Sequence, residues 1–154
     1  MDYKYKKILP EDVYVTASDR EATEEELWQG IPRDFHGNRP SGNDFMDTFA
    51  CLVRVLKHVE ISVYAKEMGV STSDLGGAVR AMSGITAVQW RDRYLVLIAR
   101  EYLEKTSMPI GQIGVCIGFN SPECFSRFFK LHTGKQPFEY RSTWDYTRPR
   151  KYHF

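Results

Sequence analysis

The stretch from Ile113 to Arg141, IGVCIGFNSPECFSRFFKLHTGKQPFEYR, restricts this chain more than any other. Residues Pro109 to Ile117 read as a short helix, and Gly118 can take the left-handed conformation that a helix exit needs. Ser121 then offers an N-cap hydroxyl. Pro122 fills the first helical position, where its missing N–H costs nothing. The helix that follows runs to about His132 and meets its stop at Gly134. Two short helices joined by a tight glycine turn read as a helix-turn-helix, a unit whose second helix enters the DNA major groove.

On a wheel of ~100° per residue, that second helix has two faces. Pro122, Ser126, Lys130, Glu123 and Arg127 share a polar arc with a basic end. Leu131, Cys124, Phe128, His132, Phe125 and Phe129 share an arc that is almost wholly apolar. The polar arc, with Asn120 and Ser121 in the turn before it, is the candidate DNA face. An ordinary amphipathic surface helix has the same wheel, so the wheel alone does not choose between them. Arg127 is the candidate base reader. It sits mid-helix after the small Ser126, and a guanidinium can pair two-pronged with guanine O6 and N7. Glu123, four residues earlier, can hold that fork or accept from cytosine N4.

The chain repeats this pattern. Ser71 and Ser121 are both caps. Leu75 matches Phe125, Val79 matches Phe129, Arg80 matches Lys130 and Gly84 matches Gly134. Trp90-Arg91 match Tyr140-Arg141. All are offset by 50, whereas Ala65 and Gly69 match Gly114 and Gly118 at an offset of 49. Two helix-turn-helix units in an all-α fold follow, the first over residues 59–84 and the second over 109–134. Thr86 with Gln89 forms a capping pair that opens a long helix over residues 86–105 between them, with Trp90, Tyr94, Leu97, Ile98 and Tyr102 as apolar positions. At ~1.5 Å per residue it spans ~30 Å, close to the ~34 Å of one DNA turn. One chain could then reach two successive major grooves.

The two units are not equal. The 50-residue offset gives the first unit Thr72, Ser73, Gly76, Gly77 and Arg80 as its groove face. Gly76 and Gly77 carry no side chain to bond a base, and each costs about 1 kcal/mol in a helix relative to Ala. Either this half only holds phosphates, or the glycines let the backbone come close to DNA or bend. Arg80 is its strong phosphate partner.

The rest of the chain is less informative. From Asp44, Phe45, Phe49, Leu52, Val53 and Leu56 share one face of a helix ending near His58. Ser62 to Met68 and Ser71 to Ser83 read as further helices, and a short last helix follows Pro137. Residues 1–43 form an N-terminal arm in which VYVT could be a strand and Ser18 to Gln29 a short acidic helix. The arm either wraps on the domain or binds a partner. The tail, residues 143–154, mixes aromatics with Arg148, Arg150 and Lys151, and either reaches DNA or is a frayed end with Trp144 tucked under the last helix.

Net charge is +1 overall. Residues 1–45 carry 6 Lys and Arg against 10 Asp and Glu, whereas residues 46–154 carry 15 against 10, so the basic charge travels with the repeated units. Cys51, Cys116 and Cys124 are odd in number, lack CxxC spacing and read as buried, inert thiols in a reducing compartment. The four histidines sit in no metal-ligand or triad spacing, and His132 reads as a core-edge residue. No catalytic residue, metal or cofactor is expected. Neither a membrane span nor a signal peptide is legible, so a cytoplasmic location is expected.

The run IGVCIGFNSPECFSRFFK with GKQPFEYR resembles the signature of the AraC/XylS family of transcription regulators over about Val59 to Arg141. Gly114 stands where that family usually has Ala. The resemblance implies two helix-turn-helix units joined by a long helix, double-stranded DNA as partner and, for transcription, RNA polymerase. Family members often carry a larger effector-binding domain at the N-terminal end. About 45 residues cannot make its ligand barrel, so no small-molecule effector is expected within this chain. Two other functions remain compatible with the same residues: an interaction module of a transcription complex, or an accessory DNA-binding factor in recombination.

Overall fold

The computed structural model describes residues 7–15 and 39–143. The acidic helix expected over Ser18 to Gln29 and the tail from Trp144 onward lie outside them. Eight helices follow one another among the described residues: α1 Pro10–Val13, α2 Asp44–Leu56, α3 Ile61–Glu67, α4 Thr72–Ser83, α5 Ala87–Lys105, α6 Ile110–Ile117, α7 Pro122–Thr133 and α8 Pro137–Thr143. Of VYVT, which could be a strand, Val13 is helical, Tyr14 makes an isolated β-bridge, and Thr16 lies outside the described residues. Pro10 starts a helical turn that runs to Val13, and the Asp12 carboxylate accepts the Leu9 N–H at 2.9 Å. Tyr14, beyond it, is extended.

Local chemistry sets the helix starts. Asn43, Ser71, Thr86 and Ser121 each accept an N–H from the third residue on, at 3.0–3.1 Å. Gln89 returns the bond to the Thr86 N–H at 3.0 Å, completing a capping box. Ser71 with Asp74 is capped in one direction.

The core lies along α5. Trp90, Tyr94, Leu95 and Leu103 are fully buried, and Phe49 and Met46 of α2 pack with them. The Trp90 ring lies 5.2 Å from Phe49 and stacks at 5.8 Å on Tyr94. Its indole N–H donates to the Ile8 carbonyl at 2.9 Å, which fixes the arm to the core.

The repeat extends to single hydrogen bonds. Gly84 and Gly134 end α4 and α7 at φ 81° and 80°. Ser83 and Thr133 close each end by donating to the carbonyls of Val79 and Phe129, at 2.6 and 2.7 Å. Arg91 donates to the Val59 carbonyl at 2.8 Å, and Arg141 to the Met108 carbonyl at 2.7 Å. Each arginine ties the segment before its unit to the helix after it.

Gly114 is more than a substitute for Ala. A Cβ there would lie 2.8 Å from the Cβ of Phe125, so α6 and α7 approach more closely than Ala permits. The α6–α7 turn also docks on the end of α2. The His58 N–H donates to the Ile117 carbonyl at 2.9 Å, and the His58 ring stacks on Phe119 at 4.4 Å. Gly118, at φ 105°, presses against the His58 backbone, where a Cβ would come within 3.1 Å. This junction joins the second turn to the segment that leads into the first unit.

Burial and then the Arg91 charge hold the His58 imidazole below its ordinary 6.5, with Asp92 opposing them weakly. The unfolded chain therefore takes up the proton first as pH falls. The contribution of His58 to stability is present above about pH 6.5 and is lost as pH falls through the lower folded value. Denaturant unfolding at about pH 8 and about pH 5 should show the lower stability at the acid end. His58→Phe, which keeps a ring on Phe119, should flatten that part of the slope.

Candidate nucleic-acid interface

The polar arc of α7 faces outward. Pro122, Glu123, Arg127 and Lys130 are exposed, Ser126 is half-buried, and Asn120 is exposed in the turn before the helix. Phe125 and Phe129, on the opposite side, are fully buried. Ser121 is half-buried, and its hydroxyl is already engaged as the N-cap. The helix start adds a partial positive charge from its free N–H groups next to Asn120 and Glu123.

The apolar arc read from the wheel is too wide. Leu131 is 79% exposed and Cys124 is exposed. Close approach of α6 at Gly114 lets the two buried phenylalanines fill the contact, and nothing covers the edge beyond them. Leu131 therefore borders the polar arc as an exposed apolar side chain, which the wheel hid. Cys116 is also exposed and Cys51 half-buried, so the expectation of three buried thiols fails. His132 lies at the surface, 3.6 Å from Asp92 and with its ring 4.7 Å from that of Phe128.

Glu123 and Arg127 do not form an ion pair with each other. Among the described residues neither has a salt-bridge partner, and the same holds for Lys130 and Arg80. Glu123 thus does not hold the Arg127 fork in the free chain, one of the two roles its spacing allows.

The first unit presents a flatter surface. Thr72, Ser73, Gly77 and Arg80 are exposed and Gly76 is half-buried. A Cβ added at Gly76 or Gly77 would meet nothing within 4 Å. The fold itself does not require glycine at either place, and both have ordinary helical φ.

Sequence reading missed a second cationic region. Arg93 and Arg100 on α5, with Lys135 after α7, line one cleft with Tyr140. Arg100 donates to the Tyr140 hydroxyl at 3.0 Å, and that hydroxyl donates to Glu104. Burial, then the Glu104 carboxylate, push the Tyr140 phenol up to about 12. The i, i+4 and i, i+7 spacing of Arg93, Leu97 and Arg100 marks one side of α5 and was the available signal. Among the described residues no group of three His, Cys, Asp or Glu could hold a metal ion, and no helix is long and apolar enough to cross a membrane.

A family model described as a helix-turn-helix domain matches residues 64–143. The arabinose operon regulatory protein of Salmonella typhimurium is 35% identical over 85 residues, covering 55% of this chain and 30% of that protein. The protein of the same name from Escherichia coli is 35% identical over 83 residues, covering 54% and 28%. The chain thus spans less than a third of the length of these relatives. The solved DNA-binding domain of AdpA, a global transcriptional factor in complex with a target DNA, shares the fold with a TM-score of 0.61. Its identity is 22%, over 70% of this chain and 97% of that one.

Proposed function

The chain belongs to the AraC-type helix-turn-helix family, and from that premise we propose that it is a sequence-specific DNA-binding regulator of transcription. Residues 44–142 form the DNA-binding part, and α4 and α7 enter successive major grooves of double-stranded DNA. The observation that carries the reading is the outward arc of α7, where Arg127 and Lys130 stand exposed without a salt-bridge partner among the described residues. Helix α5 has 19 residues, and at ~1.5 Å each it separates the units by roughly 28 Å, near one DNA turn. Arg127 reads bases, with Glu123 and Ser126 beside it. Pro122, Ser121, Asn120 and Lys130 lie against the backbone at the groove edge. RNA polymerase is the further partner that a role in transcription calls for. The reading involves no catalysis and no cofactor, and it puts the chain on bacterial DNA in the cytoplasm.

A mobility shift of random duplex at rising salt tests the reading. Binding that weakens linearly in log–log form is expected, because each phosphate contact releases counterions. Binding absent at low salt would leave the fold to a protein-interaction role.

In this reading the first unit supplies affinity more than specificity. Arg80→Ala should weaken binding to all duplexes alike and flatten the salt slope by about one unit. Gly76→Ala and Gly77→Ala should each raise the stability of the free protein by roughly 0.5–1 kcal/mol, since the added methyl meets open space. Denaturant unfolding checks both. If either alanine also weakens DNA binding, the α4 backbone lies against the duplex at that point.

A further inference from the structure

The two units treat equivalent grooves differently. In the first unit the arm fills the groove between α2, α5 and the end of α4. The Ile8 N–H donates to the Met82 carbonyl at 3.0 Å, and the Ile8 carbonyl accepts the Trp90 indole N–H at 2.9 Å. The stem of Lys7 lies over Gly84, 3.4 Å from where a Cβ would stand. Shifted by the 50-residue repeat, Met82, Gly84 and Trp90 become His132, Gly134 and Tyr140. At the 49-residue offset, Cys51 of α2 becomes Arg100 of α5. The counterpart groove of the second unit is thus bounded by α5, the end of α7 and α8. It is an open cleft of about 610 Å³, with Leu97, Ile85 and Val96 among its lining residues.

The cleft has a charge sign. Arg93, Arg100 and Lys135 line it with His132 and Glu11. Arg100 lies 3.9 Å from Glu104 and His132 3.6 Å from Asp92, so Lys135 is the lining cation that those carboxylates leave open. Glu11 comes from the arm and pairs with Arg93 at the edge of the cleft. Lys135 has no carboxylate partner among the described residues. The first-unit groove thus accepts a backbone segment that carries an apolar residue, Ile8, and the second-unit cleft already takes one carboxylate of the same arm, Glu11, on Arg93.

We propose that this cleft docks a short acidic peptide segment of a partner protein, of the same pattern as the arm. The apolar residue rests on Leu97, and a carboxylate meets Lys135. The site is separate from the outward arc of α7 and does not depend on the DNA reading.

The test uses the full chain, labelled with nitrogen-15, and the free peptide KILPEDVYV (residues 7–15) as probe. Saturable amide shifts centred on Leu97, Thr133, Lys135 and Tyr140 are expected. Lys135→Glu, at an exposed position outside the core, should weaken the peptide by about tenfold or more, because like charges then face each other. Shifts confined to Met82, Gly84 and Trp90 would mean that the peptide only exchanges with the chain's own arm, and would overturn the proposal. So would the absence of saturable shifts, or an unchanged affinity in Lys135→Glu.

Discussion

Trp90→Ala should lower the unfolding free energy by about 3–5 kcal/mol, the usual range for removing a large buried aromatic. Trp90 is wholly buried and touches both halves of the core: Phe49 of α2 at 5.2 Å and Tyr94 of its own helix at 5.8 Å. The cavity left behind is walled by these rings, which α5 and α2 hold in place and which cannot collapse fully. The substitution also removes the indole donor to the Ile8 carbonyl. That bond fixes the arm, so Glu11 and Tyr14, which bond Arg93 and Glu101 on α5, lose their anchor as well. In a domain of this size the loss corresponds to a fall in Tm of roughly 10 °C or more. Thermal unfolding by circular dichroism would show it. A fall of only a degree or two would mean that the arm and α2 do not share one core with α5.

Arg127→Ala should cost about 1–3 kcal/mol of DNA binding and relax preference at one base-pair position, with folding stability nearly unchanged. Two magnitudes separate this from a merely structural arginine. An exposed i, i+4 pair with Glu123 would be worth only ~0.3–0.5 kcal/mol to the helix, and the structure does not form that pair. The fork therefore has little to lose in the free protein, and as the proposed reader it would gain a bidentate partner on guanine. Leu131, on the exposed edge next to it, can add apolar contact to a thymine methyl. Titration of the selected duplex and its single-base variants measures the effect. Unchanged preference at every position would remove Arg127 as reader.

Much of this architecture was legible because local rules and the repeat agreed. Ser71, Thr86 and Ser121 cap where their hydroxyls predict, and Gly84, Gly118 and Gly134 take the positive φ that stops a helix. The matched arginines, Arg91 and Arg141, repeat down to single bonds to carbonyls. Side-chain environment was less legible. A wheel assigns Leu131 and Cys124 to the apolar side, but how far a neighbour covers that side depends on how close it comes. Gly114 sets that distance through a contact with Phe125 eleven residues away. The cationic cleft joins side chains from α5, the end of α7, α8 and the arm, with no local pattern except the spacing of Arg93, Leu97 and Arg100. Lys57 adopts φ 62° at the end of α2, where the sequence shows no glycine or asparagine to announce a left-handed residue.

The most direct test is to select bound duplexes from a random pool with the intact chain and to read the enriched motif. Two half-sites about one helical turn apart are expected, since ~10–10.5 base pairs separate equivalent groove faces. The half-site read by α7 should carry most of the information, including a guanine opposite Arg127, and the half-site read by α4 should carry little. No enrichment over the starting pool would contradict sequence-specific recognition, and equal information in both half-sites would contradict the division of labour between Arg127 and the Gly76-Gly77 face.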